Sequence, residues 1–236
     1  MSKYPTGAAV LLAGLAMIVT TPAVAQQDHE VDHANVPVVL ERGCEVAIAL
    51  AASPDHLREE AGVWAYDGEG FVRHRESGNG FDCIVNRDHA RALKPVCFDA
   101  EGARTIVPKI RRFGELLAQG QDPGEINASI EATFERGEFE SPARPGVAFM
   151  LSNYNRPAGA NGVGWFPPHV MYYAPNLTNA DIGFAPGTAR GVPGLPFVAY
   201  QGPQGYLVAL DSRAAEQPRT ALPECEGQVD PPPQQQ

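Results

Sequence analysis

The sequence predicts an α+β domain in which a mainly antiparallel sheet, a meander plus a C-terminal hairpin, carries a helical layer on one face. Two observations indicate this class. Segments with a strand-like apolar pattern and segments with helical periodicity come in separate blocks, not in strict alternation. Glycine-bearing breaks, which are typical of turns, divide the strand-like blocks.

The amino end, residues 1–25, has the pattern of a secretory signal peptide. Lys3 supplies the positive charge, residues 8–19 (AAVLLAGLAMIV) form an uncharged apolar run, and residues 23–25 (AVA) are small enough for a signal peptidase. A membrane anchor is the alternative, but a spanning helix needs roughly 20 apolar residues. We therefore expect cleavage after Ala25, followed by a mobile leader over residues 26–40.

The segment after the leader predicts two helices. Residues 41–52 (ERGCEVAIALAA) place Cys44, Ile48 and Ala51 on one apolar stripe. Ser53 then caps a second start with proline at the first helical position, which predicts a short helix over PDHLREEA.

From residue 62 the apolar period changes to two. The segments GVWAYD, FVRHRE and FDCIV are separated by GEG and SGNG, which predicts a three-stranded antiparallel meander. We expect VCFDAEGART to add a further strand and a turn at Glu101 and Gly102.

Two longer helices are predicted next, over residues 109–119 and 122–136. Asp122 caps the second of these, and its apolar face carries Ile126, Ile130 and Phe134. We expect this pair to form the helical layer on the sheet.

The rest of the chain is rich in proline and glycine and holds four short strand-like segments. They are VAFML (147–151), HVMYYA (169–174), PFVAY (196–200) and YLVAL (206–210). The last two predict a hairpin across QGPQG. A single domain is therefore expected over residues 41–211, with a Pro/Gln-rich tail, mostly disordered, over 212–236.

Composition excludes several function classes. The chain has 18 basic and 28 acidic residues, and loss of Lys3 with the signal leaves a net charge of −11. Such a surface repels nucleic acid, and no later segment is apolar enough to span a membrane. Phosphate-loop, nucleophile-elbow and haem motifs are missing from the sequence, so we expect no cofactor.

Four cysteines follow the predicted cleavage site, and an even count in an oxidising compartment indicates disulfides. Three pairings are possible. The sequence favours Cys83 with Cys97, because FDCIV and PVCFD are short extended segments that can lie side by side. Cys44 with Cys225 would then close a long loop worth about 4 to 5 kcal/mol. The alternative is a Cys83 thiol nucleophile, with His89 or His169 as its base.

A first candidate site is the motif His29-Glu30-Val31-Asp32-His33, which matches the H-E-x-x-H pattern of zinc proteases. The motif lies in a polar stretch beside the predicted new amino end, where ligand geometry is hard to fix. His29, Glu30 and His33 are therefore the candidate metal ligands, but we expect no metal at this position.

A second candidate site is FPPHVMYYAPNLTNADIG, where His169, Asn179 and Asp181 surround a strand end. Loops in this position often form pockets, and His with Asp can perform general acid/base catalysis. The alternative is a turn whose Asn and Asp side chains bond backbone amides.

The segments NGFDCIV, PVCFDAEG, SPARPGVAFMLS and FPPHVMYYAPNLTNADIG resemble a group of uncharacterised exported bacterial proteins with no assigned activity. The resemblance covers roughly Cys44 to Val198 and implies a periplasmic or secreted protein. We therefore predict an exported soluble binding or envelope-associated domain. The alternative is an exported hydrolase-like enzyme with a pocket at His169, Asn179 and Asp181.

Overall fold

The predicted sheet is present and has eight strands. In this computed structural model, which describes residues 36–159, 162–185, 194–210 and 221–230, all described residues belong to one compact unit. The described residues form ten strands, eight in this sheet and two, β6 and β7, in a separate pair. They are β1 Gly62–Tyr66, β2 Phe71–Arg75, β3 Asp82–Asn86, β4 Lys94–Phe98, β5 Val147–Met150, β6 Ala158–Gly159, β7 Gly162–Val163, β8 His169–Tyr173, β9 Phe197–Tyr200 and β10 Tyr206–Leu210.

The described helices are α1 Arg42–Leu50, α2 Asp55–Arg58, α3 Ala100–Thr105, α4 Val107–Ala118, α5 Pro123–Glu135 and a 3₁₀ helix, Pro223–Cys225. Four of the described helices, α1, α2, α4 and α5, lie where the sequence predicts them. Asp122 caps α5 as predicted, because its Oδ1 accepts a hydrogen bond from the backbone N–H of Gly124 at 2.7 Å.

The strand order is β2-β1-β3-β4-β5-β8-β10-β9, with β6 and β7 forming a separate pair. Every neighbouring pair in the large sheet is antiparallel except β1 and β3, which are parallel, with Val63 opposite Cys83. The sheet is therefore mixed and mostly antiparallel, and β9 and β10 form the predicted C-terminal hairpin.

The predicted meander is wrong in its pairing. β1 lies between β2 and β3, so β3 pairs with β1 and not with β2. The burial of the strands gives the reason. β1 and β3 are buried on both faces and take central positions, whereas β2 alternates exposed residues with buried or half-buried ones, which suits the edge of a sheet.

The strand expected at VCF is present as β4, but it is followed by a helix and not by the expected turn. α3 begins at Ala100, and Glu101 and Gly102 lie within it. The Asp99 side chain accepts a hydrogen bond from the Gly102 N–H at 3.0 Å. This N-cap satisfies a backbone donor at the helix start and explains the helix.

Helices contact both faces of the sheet. Along β3, Ile84 packs in one cluster with Ile110 of α4, whereas Cys83 packs in another with Ile48 of α1. Successive strand residues point to opposite faces. The expected helical layer on a single face is therefore not confirmed.

Both expected disulfides are present. Cys83 and Cys97 are opposite each other on β3 and β4, and Cys44 of α1 is bonded to Cys225 of the 3₁₀ helix. No cysteine is free, so Cys83 is not available as a thiol nucleophile.

The ends of the predicted domain are tied to it. In the predicted leader, Leu40 is buried and the Val38 N–H bonds to the Ala90 carbonyl at 3.1 Å. In the predicted tail, residues 221–230 are placed and Cys225 is buried. Within the described ranges, no helix is long and apolar enough to cross a membrane.

Candidate ligand-binding site

A cavity of about 180 Å³ lies between the sheet and α4. Its apolar floor comes from alternate residues of β4, β5 and β8, which point to the same face. On the other side, α4 and the residue before it contribute positions 106, 109, 110 and 113, the spacing of one helix face. The apolar side chains of this wall and floor include Val96, Phe98, Ile106, Ile110, Phe113, Met150 and Met171.

Two lysines, Lys94 and Lys109, line this cavity, and we call it the lysine cavity. Lys94, at the start of β4, is ion-paired with Asp88 Oδ2. The second carboxylate oxygen, Asp88 Oδ1, is buried and has no hydrogen-bond partner within the described chain. Asp88 therefore supplies the carboxylate partner of Lys94 and still offers one acceptor to the cavity.

Lys109 differs from Lys94 in its partners and in its pKa. Its Nζ lies 4.7 Å from the ring centroid of Tyr200, a cation–π contact. Among the described residues it has neither a hydrogen-bond acceptor nor a carboxylate partner. Burial, and secondarily the charge of Lys94, lower the pKa of Lys109 to about 8, while Asp88 opposes the shift.

Gln204, in the turn between β9 and β10, adds a second unused acceptor. Its side chain is only 2 % exposed, and Nε2 donates to the carbonyls of Thr105 at 2.6 Å and Glu140 at 3.1 Å. Because both partners only accept, the amide orientation is fixed and Oε1 is left buried without a donor. A ligand donor at this point would satisfy it.

Tyr173 of β8 closes part of the cavity and is held rigidly. Its hydroxyl donates to Asp99 Oδ1 at 2.9 Å, and burial raises the pKa of the phenol. A Cβ at Gly102 would lie 2.1 Å from the same hydroxyl, so only glycine fits there. The cap of α3 and the cavity wall are thus one network.

The sequence signal that identifies this site is the use of lysine, which motif analysis missed. The chain has only three lysines, Lys3, Lys94 and Lys109, against 15 arginines. Lys3 lies in the predicted signal peptide. Both other lysines of the chain therefore line the same cavity.

A second cavity, of about 380 Å³, shares Lys94, Met150, Met171 and Tyr206 with the first. His169 lines it and is 3 % exposed. The His169 Nδ1 lies 2.8 Å from the Pro167 carbonyl oxygen, which can only accept, so Nδ1 carries the hydrogen. Burial lowers the pKa of His169, which favours the neutral ring in which Nε2 carries no hydrogen.

The structure does not bring Asn179 and Asp181 into this cavity. The Asn179 amide bonds to the backbone N and O of Val198 at 2.8 and 2.9 Å. The Asp181 carboxylate accepts from the N–H and hydroxyl of Thr178, which lowers its pKa. Both side chains therefore hold backbone and turn geometry.

The predicted metal candidates His29, Glu30 and His33 lie outside the described residues. Across the part of the chain that the structure describes, no cluster of three His, Cys, Asp or Glu side chains could hold a metal ion.

No family model, curated protein or solved structure matches this chain. The resemblance to exported bacterial proteins therefore stays a prediction.

Proposed function

We propose that this protein is an exported binding domain that takes a small amphipathic molecule into the lysine cavity. One observation carries the proposal. The ammonium of Lys109 enters a mostly apolar cavity and finds no acceptor in the described chain. A half-buried cation without an acceptor is costly in such a cavity, and a ligand oxygen would supply the missing acceptor.

The cavity wall defines the chemistry of this ligand. An apolar part would lie on Val96, Met150 and Met171, an oxygen acceptor would meet Lys109, and a donor would satisfy Gln204 Oε1. A volume of about 180 Å³ is below the roughly 300–1,000 Å³ that is typical of ligand pockets. The ligand is therefore a short-chain compound.

Export is supported by the disulfides. Two crosslinks among the four cysteines are typical of an oxidising compartment, and the predicted signal peptide would deliver the chain there.

The hydrolase-like alternative has less support. Of its three residues, Asn179 and Asp181 have their side chains bonded to the backbone or a turn residue. His169 bonds a carbonyl and, among the described residues, no carboxylate that would orient it as a base.

The binding proposal is tested by calorimetry on the mature protein with butanoate, hexanoate and octanoate, and with hexan-1-ol as the neutral counterpart of hexanoate. We expect saturable binding of hexanoate that weakens about ten-fold or more in Lys109→Met, because a charged hydrogen bond is lost.

Arg112→Met is the matched control, because Arg112 lies on the same helix and its side chain is half exposed. Its binding should equal that of the unchanged protein. If none of these compounds binds, or if Lys109→Met binds hexanoate as tightly as the unchanged protein, the proposal is wrong.

A further inference from the structure

We propose that Lys109 is an amine nucleophile that holds a small aldehyde or ketone in the lysine cavity as an imine. This inference rests on the proposed binding function and names the class of ligand.

The first support is the choice of residue. Arginine supplies 15 of the 18 basic residues, and the only two lysines after the predicted signal peptide both line one cavity. If this cavity needed only positive charge, arginine would provide it. Lysine differs in that it can lose its proton and become a primary amine nucleophile.

The second support is the surroundings of Lys109. Apolar side chains and a second cation, Lys94, share its cavity, and these are the two means by which proteins activate an amine. With a pKa of about 8, about a tenth of Lys109 is neutral at pH 7, against about one part in 3,000 for an ordinary lysine.

The third support is the division of roles within the cavity. Lys94 has a carboxylate partner in Asp88, whereas Lys109 has no acceptor in the described ranges. One amine is therefore prepared to attack and the other to donate a proton.

The reaction balances without an oxidant or reductant. The lone pair of neutral Lys109 Nζ forms a bond to the carbonyl carbon, the C=O π electrons move to oxygen, and the Lys94 ammonium protonates that oxygen. The neutral Lys94 amine takes a proton from the nitrogen of the adduct and passes it to the hydroxyl, which leaves as water while the nitrogen lone pair forms the C=N bond. Transfer of the last nitrogen proton to Lys94 gives the neutral imine and restores the Lys94 ammonium. Amine and carbonyl compound give imine and water, and the buried Gln204 Oε1 is an acceptor for the intermediate hydroxyl.

The test is reductive trapping of the mature protein with hexanal and sodium borohydride, followed by intact mass and peptide mapping. Borohydride converts the imine to a stable secondary amine. We expect one hexyl group on Lys109, formed only when both reagents are present, with Lys94 unmodified. Lys109→Arg should remove the adduct while retaining the positive charge.

Arg112→Lys is the matched control, since it puts an exposed lysine on the same helix. Lys109 should react at least about ten-fold faster than the lysine introduced at position 112, because its neutral fraction at pH 7 is about 300-fold larger.

Each outcome separates this inference from the binding proposal. If Lys109 reacts no faster than Lys94 or the introduced lysine, while hexanoate still binds, the imine is ruled out and the binding function stands. If hexanal is trapped on Lys109 and hexanoate does not bind, the imine stands and the non-covalent binding is ruled out. If neither occurs, both fail.

Discussion

The side chain of Lys109 is half-buried in a mostly apolar cavity, and this position makes the stability of the whole fold depend on pH. The pKa of Lys109 is about 8 in the folded protein and near 10.5 when exposed. Between these values the unfolded chain binds more protons than the folded chain. Stability must therefore rise with pH in this window and be lowest, for this residue, below pH 8.

We predict that Lys109→Met removes this rise. Urea unfolding at pH 7, 8, 9 and 10 should show the unchanged protein gaining stability relative to Lys109→Met as pH increases. The comparison is needed because burial also raises the pKa of Tyr66 and Tyr200, whose ionisation on unfolding lowers stability near pH 10 in both proteins. Parallel pH profiles would contradict the shifted lysine.

Also at the residue scale, Asn179 and Asp181 match the predicted structural role in a turn and not the alternative role in catalysis. The turn alternative describes the contacts of Asn179 and Asp181, whose side chains bond Val198 and Thr178. The sequence could not predict that Lys109 lines a cavity. The periodicity of α4 shows which residues share a helix face but not which part of the sheet that face covers. The cavity depends on how β4, β5 and β8 pack beneath the helix.

At the scale of elements, the two disulfides differ in what they connect. Cys83 and Cys97 join neighbouring strands across 14 residues, whereas Cys44 and Cys225 join α1 to the 3₁₀ helix across 181 residues. In the chain-entropy model the longer loop restricts the unfolded chain more, by about 5 kcal/mol against about 3 kcal/mol.

We therefore predict that replacing both Cys44 and Cys225 with alanine costs about 2 kcal/mol more than replacing both Cys83 and Cys97. All four cysteines are buried, so the loss of packing is similar in the two double variants. Urea unfolding of both variants measures the difference. An equal or reversed order would show that native contacts, and not loop closure, determine these contributions.

Local pattern predicted most elements but not their pairing. The apolar stripe of residues 41–52 and the Asp122 cap correctly located α1 and α5. The parallel pairing of β1 with β3 was missed because a period of two identifies a strand without naming its neighbour. The sequence does not predict α3, because Glu101-Gly102 is typical of a turn, whereas the Asp99 side chain caps a helix there.

At the scale of the whole molecule, the proposed export makes a prediction about mass. We expect the protein from an exporting host to begin at Gln26 and contain 211 residues. Its unreduced mass should be four hydrogens below the value for free thiols, because two disulfides are formed. Intact-mass spectrometry before and after reduction measures both. A retained signal peptide would disprove cleavage, and an unchanged mass on reduction would disprove the disulfides.

The nested arrangement of the disulfides sets an order for oxidative folding. As the chain is made from its amino end, Cys83 precedes its partner by 14 residues, but Cys44 precedes Cys225 by 181. Cys44 therefore still has a free thiol when Cys83 and Cys97 have been synthesised and can react. Pairing cysteines in order of appearance would join Cys44 to Cys83, so the native state requires either rapid closure of the β3–β4 crosslink or later exchange by a thiol–disulfide isomerase.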